Sequence, residues 1–136
     1  MYQKLIIAGN LGGEPSMKYT PSGQAVTNFS VATNRKWTNT DGSQAEEVTW
    51  FRVTAWGKLG EVCNQFLGKG RAVLIEGRLN PDKATGGPRI WTGQDGQARA
   101  SFEVVAETVK FLGGPRGEAA APEAPAPELG DQDIPF

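Results

Sequence analysis

Four tryptophans are the most distinctive chemical feature of this 136-residue sequence: Trp37, Trp50, Trp56 and Trp91. Each has a basic residue within two positions of it, or on the same face of its predicted strand. An indole ring is a flat surface on which any nucleic-acid base can stack, and a cation beside it can bind a phosphate of the backbone. Stacking contributes ~1–3 kcal/mol per base. This mixture predicts a surface that binds single-stranded nucleic acid without reading its sequence.

Nine basic side chains are candidates for the track that would follow the phosphates: Arg35, Lys36, Arg52, Lys58, Lys69, Arg78, Lys83, Arg89 and Arg99. Contacts of this kind release counterions from the nucleic acid, so binding through them weakens as salt is added. Each indole also has an alternative interpretation, because a lone tryptophan is commonly a core residue or an anchor for another protein. Trp37 or Trp91 alone would therefore be weak evidence for nucleic-acid binding. Trp50 and Trp56, on either side of Arg52, favour the binding surface.

The net charge of −1 conceals two segments of opposite sign. Residues 1–112 contain 13 Lys and Arg against 10 Asp and Glu, whereas residues 113–136 contain one Arg and five acidic residues. The second segment also has five prolines and four glycines among its 24 residues. We therefore expect a polyanion-binding domain over residues 1–112 and a disordered acidic tail over residues 113–136.

The absence of histidine and the presence of one cysteine, Cys63, narrow the chemistry further. The usual ligand sets for zinc or copper are missing, and so are the Ser-His and Cys-His arrangements of nucleophilic catalysis. We expect no metal, no cofactor and no enzymatic activity. No apolar stretch approaches the roughly 20 residues that span a bilayer, and the first ten residues lack the features of a signal peptide. The expected location is the cytoplasm, in association with the nucleoid.

Short β-type segments separated by turn residues predict an all-β barrel that would hold these side chains in place. Five principal strands are expected at residues 4–8, 25–37, 47–56, 71–79 and 100–111, with an edge piece at 17–19 and a long hairpin region at 80–99. Between the third and fourth strands, apolar residues at positions 59, 62, 63, 66 and 67 have the spacing of an amphipathic helix over residues 58–67. This order is that of a five-stranded OB-fold barrel with one helix between strands 3 and 4.

The third strand shows most directly how the barrel would present the indoles. Alternation places Phe51, Val53 and Ala55 on one face, which we expect to be the core. The other face carries Trp50, Arg52 and Trp56, where a soluble protein ordinarily has polar residues. Two aromatic rings flanking a cation therefore face outward. Cys63, on the packing face of the helix, is expected to be a small core residue.

The end of the acidic tail differs from the rest of it, because Ile134, Pro135 and Phe136 are bulky and apolar. Solubility does not explain them, although a ragged end without function is the alternative interpretation. Four segments together resemble the bacterial single-stranded DNA-binding protein family: GNLGGEP at residues 9–15, WFRVTAWGKLGEV at 50–62, LGKGRAVLIEGRL at 67–79 and the terminal DIPF. The resemblance extends over nearly the whole chain.

The resemblance implies an OB-fold that assembles into homotetramers around which single-stranded DNA wraps, without catalysis. The base-stacking positions of the family match the four tryptophans, and its phosphate-binding cations match Arg52, Lys58 and Lys69; the other basic candidates follow from their proximity alone. The tail tip of the family binds replication, recombination and repair enzymes, and it matches the following residues: Asp131, Asp133, Ile134, Pro135 and Phe136.

Three residues depart from the family pattern. Phe51 stands where several relatives have histidine near a subunit interface, so the side-chain packing of the relatives does not carry over at this position. Trp56 stands where phenylalanine is common, which should strengthen stacking. Gln132 interrupts the acidic run and removes one negative charge from the tip, which should weaken its docking to a basic partner.

Two other functions are compatible with parts of the pattern. An OB-fold primosome protein or an RNA-binding protein would share the aromatic surface, but the tail tip argues against it. A nuclease that holds magnesium between Glu46 and Glu47 would belong to a different class. Adjacent residues of a strand point to opposite faces, so these two carboxylates are poorly placed to share an ion.

Overall fold

A computed structural model of the protein describes residues 1–113, and its elements follow the predicted order of three strands, a helix and two strands. Two shorter strands accompany them. The elements are β1 (Leu5–Leu11), β2 (Ser16–Tyr19), β3 (Ala25–Thr38), β4 (Gln44–Trp56), α1 (Gly57–Phe66), β5 (Ala72–Leu79), β6 (Arg89–Thr92) and β7 (Ala98–Gly113). No helix in this range is long and apolar enough to span a membrane.

Five of the strands form a closed barrel in the order β1-β5-β7-β4-β3, and pairing of β1 with β3 closes it. All neighbours are antiparallel except β4 and β7, which are parallel. The predicted five-stranded OB-fold barrel, with its helix between the third and fourth barrel strands, is thus confirmed. β2 extends the sheet beyond β3, and β6 pairs only with β7.

The first strand is longer than the sequence pattern predicted, because it continues through Gly9 and Asn10, which we expected to end it. Asn10 pairs with Ala32 and Leu11 with Val31, and these are the contacts that close the barrel. Gly9 permits this approach, since a Cβ atom there would collide with the carbonyl oxygen of Ala32. This glycine therefore allows the backbones of β1 and β3 to approach closely, and it does not form a turn.

The core consists of aliphatic side chains from the inner faces of the barrel strands, together with Phe29, Cys63 and Leu67. Alternation in β4 sorted its residues correctly, because Val53 and Ala55 are fully buried and the partly buried Phe51 packs against the core. Thr27 is the one buried polar side chain in the part of the chain that the structure describes. Its hydroxyl donates a hydrogen bond of 2.7 Å to the carbonyl oxygen of Gly60 and so ties the helix to β3.

Two β-hairpins project from the barrel. β3 and β4 pair over 13 positions and are joined by a turn in which Gly42 has a φ of 89°, as the Asp41-Gly42 sequence predicted. The region 80–99, expected to be a long hairpin region, contains the short strand β6, which the sequence pattern did not predict and whose four residues pair with the start of β7. Only residues 93–97 form the tip. The tail predicted over 113–136 lies outside the described residues from position 114 onward.

Candidate nucleic-acid interface

The outward face of β4 presents two large indole rings to solvent with a cation between them. Trp50 is 53% exposed and Trp56 is 43% exposed, and Arg52 and Thr54 take the two outward positions between them. Two of their cross-strand partners in β3 are small, since Ala32 stands opposite Trp50 and Ser30 opposite Arg52, while Val26 stands opposite Trp56. The small residue opposite Trp50 leaves room beside its ring for another flat group.

One ring of this pair rests against the backbone that follows β1. A Cβ atom added to Gly12 would lie 2.5 Å from Cζ3 and 2.7 Å from Cη2 of Trp50. The ring therefore occupies space that only glycine leaves open. Gly12 donates its backbone N–H to the carbonyl oxygen of Ser30 at 3.0 Å, which fixes the glycine to the neighbouring strand. The packing of Trp50 is thus set by a residue that sequence reasoning did not select.

The third indole reaches the same side of the barrel through β6 and β7. Trp91 pairs with Arg99, and Arg89 pairs with Ser101. Glu103 continues that face of β7, and its Cα partner across the parallel ladder is Arg52. Trp91 and Arg89 are therefore connected to the outward face of β4 through one strand.

Trp37 lies elsewhere, on the other face of the β3–β4 ladder. In β3 the odd positions from 25 to 31 point into the barrel, and Trp37 continues that series where the hairpin extends beyond the core. Its ring is 38% exposed, and its Nε1–H donates a hydrogen bond of 3.1 Å to Asn39. The structure thus brings three of the four predicted stacking residues to one side and separates the fourth.

Lys36 takes the even position next to Trp37, so alternation places it on the outward face with Trp50. Arg35 shares the face of Trp37 instead, and its guanidinium carbon lies 4.5 Å from the centroid of that ring. Arg35 and Lys36 therefore lie on opposite faces of the hairpin. The same alternation separates Glu46 from Glu47, as predicted, so this pair cannot share a metal ion.

The nine candidate cations divide by whether they are already ion-paired. Four form no ion pair with another residue in the range 1–113: Lys36, Arg52, Lys69 and Lys83. Five are paired with carboxylates: Arg35 with Glu47, Lys58 with Glu61, Arg78 with Glu107, Arg89 with Glu103 and Arg99 with Asp95. A cation without a partner can bind a phosphate without first giving up a carboxylate. Arg52 is the one that lies between two exposed indoles.

Arg78 lies beside Lys4 and Glu107, next to the N-terminal residues, and belongs to a cluster separate from the other candidate cations. It lies 3.6 Å from Glu107, which also accepts a hydrogen bond of 3.0 Å from Lys4. That hydrogen bond raises the pKa of Lys4 above its ordinary value. Arg78 therefore lies in a paired network and is not brought together with the indoles.

Two further groups titrate unusually without belonging to the aromatic surface. Hydrogen bonds from Ser43 lower the pKa of Asp41 at the tip of the β3–β4 hairpin. Burial raises the pKa of the Cys63 thiol to about 12. Across the described part of the chain, no three His, Cys, Asp or Glu side chains cluster in a way that could hold a metal ion.

A cavity of about 280 Å³ with a mostly apolar lining, which sequence reasoning missed, lies between β7 and the segments that follow β5 and precede β6. Leu79, Pro81, Pro88 and Phe102 line it. Ile90 projects from the face of β6 opposite Trp91 and is strongly exposed. The exposed faces of these strands could be found by alternation, but the loop that forms the cavity wall could not. The predicted partner-binding residues Asp131, Asp133, Ile134, Pro135 and Phe136 lie outside the described residues, and their role stays a prediction.

Comparison with known proteins identifies relatives with this fold. The profile of the single-strand binding protein family matches residues 2–112. The chain is 44% identical over 115 residues to the single-stranded DNA-binding protein of Xanthomonas axonopodis pv. citri, covering 85% of this chain and 59% of that protein. It is 40% identical over 111 residues to the single-stranded DNA-binding protein of Neisseria meningitidis serogroup A, covering 82% and 60%. The chain spans about three fifths of the length of these curated relatives.

Solved structures share the architecture at lower identity. The small single-stranded DNA-binding protein from Streptomyces coelicolor superimposes with a TM-score of 0.66 at 20% identity, covering 80% of this chain and 93% of that chain. The Plasmodium falciparum SSB, solved in complex with ssDNA, superimposes with a TM-score of 0.67 at 24% identity, covering 82% and 96%. At these identities the likeness establishes the fold.

Proposed function

Because this chain belongs to the single-strand binding protein family, we propose that its barrel binds single-stranded DNA without reading the base sequence. The observation that carries the proposal is the outward face of β4, where Trp50 and Trp56 stand open to solvent on either side of Arg52. Bases would stack on the indoles while the guanidinium binds a phosphate. Trp91 would extend the stacking surface across β6, and Trp37 would engage the strand on the reverse face of the hairpin.

Titration of the full chain with oligo-thymidine, followed by tryptophan emission, tests this proposal. Stacking should quench the emission, and the affinity should fall as salt is added because phosphates release counterions. Trp50→Ala and Trp56→Ala should each weaken binding by ~1–3 kcal/mol, or about 5- to 150-fold in Kd, while thermal unfolding stays cooperative. Unchanged emission and no binding would refute the proposal.

A matched control comes from β6, where two exposed apolar residues occupy opposite faces. Trp91→Ala should weaken binding, whereas Ile90→Ala should leave it unchanged, because Ile90 points away from the indole side. Equal losses for both variants would indicate damage to the hairpin instead of loss of a stacking ring. Competition with oligo-uridine tests the alternative of an RNA-binding protein, for which uridine would bind more tightly than thymidine.

We further propose that the protein protects single strands during DNA replication, recombination and repair. Family membership and the aromatic surface support this role. The acidic and apolar residues at positions 131–136 would recruit partner enzymes to the bound strand. Ile134→Ala combined with Phe136→Ala should abolish capture of helicases and nucleases and spare oligo-thymidine binding, while Pro125→Ala combined with Pro127→Ala should change neither. Retained capture by the first variant would refute recruitment through this segment.

Assembly into a homotetramer is the remaining part of the proposal. Its support in the described chain is the pair of exposed apolar residues Leu79 and Phe102, which line the cavity together. Exposed apolar patches of this kind commonly mark contacts with another chain. Sedimentation velocity should give four times the mass of one chain, and a monomer at micromolar concentration would contradict the proposal.

A further inference from the structure

Two of the four indoles already have a cation over one ring face. The guanidinium carbon of Arg35 lies 4.5 Å from the ring centroid of Trp37, and that of Arg89 lies 4.8 Å from the ring centroid of Trp91. In each case the arginine is two residues before the tryptophan, so strand alternation places both on the same face. We call each of these guanidinium groups a cap. A cap occupies the space over the ring face where a base would stack.

A carboxylate on the neighbouring strand holds each cap. Arg35 donates hydrogen bonds to Oε1 of Glu47 from Nε at 3.3 Å and from Nη2 at 3.1 Å. Arg89 lies 3.4 Å from Oε2 of Glu103, an oxygen that also accepts a hydrogen bond of 2.8 Å from Ser101. The same three residue types therefore recur in two hairpins that are far apart in sequence. Trp37 and Trp91 are also the less exposed pair of indoles, at 38% and 37%.

We propose that Glu47 and Glu103 are positioning residues that keep Arg35 and Arg89 over the Trp37 and Trp91 rings, and that a bound strand must displace these caps. The proposal rests on the proposed binding of single-stranded DNA. When a base displaces a cap, the arginine leaves its carboxylate partner and lies beside the stacked nucleotide. Its guanidinium can then bind a phosphate of that strand. Trp50 and Trp56 have no such cap in the described chain, so these two rings are ready to bind first.

The two caps are held with different strength. The Arg35–Glu47 pair is exposed on both sides, with 69% and 53% of the side chains accessible, so solvent and salt screen it. Glu103 is only 13% exposed, and its interaction with Arg89 is screened less. Removing the charge of Glu103 should therefore have the larger effect on binding.

The test is the affinity of the full chain for oligo-thymidine in the Glu47→Gln and Glu103→Gln variants at low salt. Glu47→Gln should tighten binding roughly two-fold and Glu103→Gln roughly five-fold, and both gains should shrink as salt is raised. Asp41→Asn is the matched control, because it removes one negative charge from the tip of the same hairpin, where the carboxylate accepts hydrogen bonds from Ser43 and holds no cap. An Asp41→Asn gain as large as that of Glu47→Gln would overturn the proposal, and so would weaker binding by either Glu47→Gln or Glu103→Gln.

A double-mutant comparison separates a cap from simple repulsion between carboxylate and phosphate. In an Arg35→Gln background the Trp37 ring has no cap, so Glu47→Gln should tighten binding no more than Asp41→Asn does there. Repulsion alone would leave the Glu47→Gln gain intact or enlarge it, which would overturn the proposal. Failure of the wild-type chain to bind oligo-thymidine would instead refute the proposed function. Wild-type binding with Kd unchanged by Glu47→Gln and Glu103→Gln would refute only the caps.

Discussion

Replacing Gly12 by alanine is expected to weaken binding of single-stranded DNA by moving the Trp50 ring, while the barrel stays folded. The new Cβ atom would lie 2.5 Å from Cζ3 and 2.7 Å from Cη2 of the ring. Carbon atoms in contact prefer separations of ~3.5–4.0 Å, so the ring must move by roughly 1 Å. Gly12 does not have a positive φ, so alanine fits its backbone conformation.

The expected magnitudes follow from the exposure of the ring. Because about half of Trp50 is open to solvent, the side chain can move outward, and the loss of stability should stay within ~0.5 kcal/mol. The loss of binding is bounded by the whole stacking contribution, ~1–3 kcal/mol. A displaced but present ring should lose part of that, roughly 1 kcal/mol, which is about five-fold in Kd.

Fluorescence titration with oligo-thymidine measures the affinity, and thermal denaturation measures the stability. Gly13→Ala is the control, because a Cβ atom there meets nothing within 4 Å and the residue has no positive φ. Trp50→Ala sets the upper limit of the effect. Suppose that Gly12→Ala binds oligo-thymidine as tightly as Gly13→Ala, while Trp50→Ala binds it weakly. The contact between Gly12 and Trp50 then does not position the ring, and the prediction is wrong.

Three other outcomes follow from the structure. Thr27→Val should lower the free energy of unfolding in urea by ~0.5–1.5 kcal/mol, because it removes the hydroxyl that donates to the carbonyl of Gly60, whereas Thr27→Ser should retain most of the stability. Cys63 should resist alkylation at pH 8, where a pKa of about 12 leaves roughly one thiol in 10⁴ ionised, and rapid alkylation of the folded protein would contradict its burial. Arg52→Gln should weaken oligo-thymidine binding and lower the salt slope by about one, while Arg78→Gln, in the paired network with Glu107, should leave both unchanged.

Much of the fold could be predicted because it depends on short-range periodicity. Alternation in β4 separated Val53 and Ala55 from Trp50 and Trp56 correctly, since successive side chains of any strand point to opposite faces. The spacing of apolar residues located the helix to within one residue at each end. The resemblance to the single-strand binding protein family was carried by local segments, and the family match confirmed it.

The expectations that failed were those that depend on pairing between distant segments. The Gly9-Asn10 dipeptide has the composition of a turn, yet both residues continue β1, because β3 and β5 offer partners for their backbones. The strand β6, which lies in the glycine-rich hairpin region, was not predicted as a strand for a similar reason. Its four residues are too short to show alternation, and they become a strand only by pairing with β7.

The candidate site divides in the same way. The sequence by itself determined which residues are indoles and cations, and which of them share a strand face, because alternation acts over two residues. The sequence therefore predicts that Arg35 shares a face with Trp37, and that Arg89 shares a face with Trp91. Only the tertiary structure decided that Glu47 and Glu103 lie beside those arginines, that Gly12 lies against Trp50 and that Trp37 faces away from the other rings. These contacts depend on strand register and barrel closure, which join residues far apart in the chain and leave no periodic signal within it.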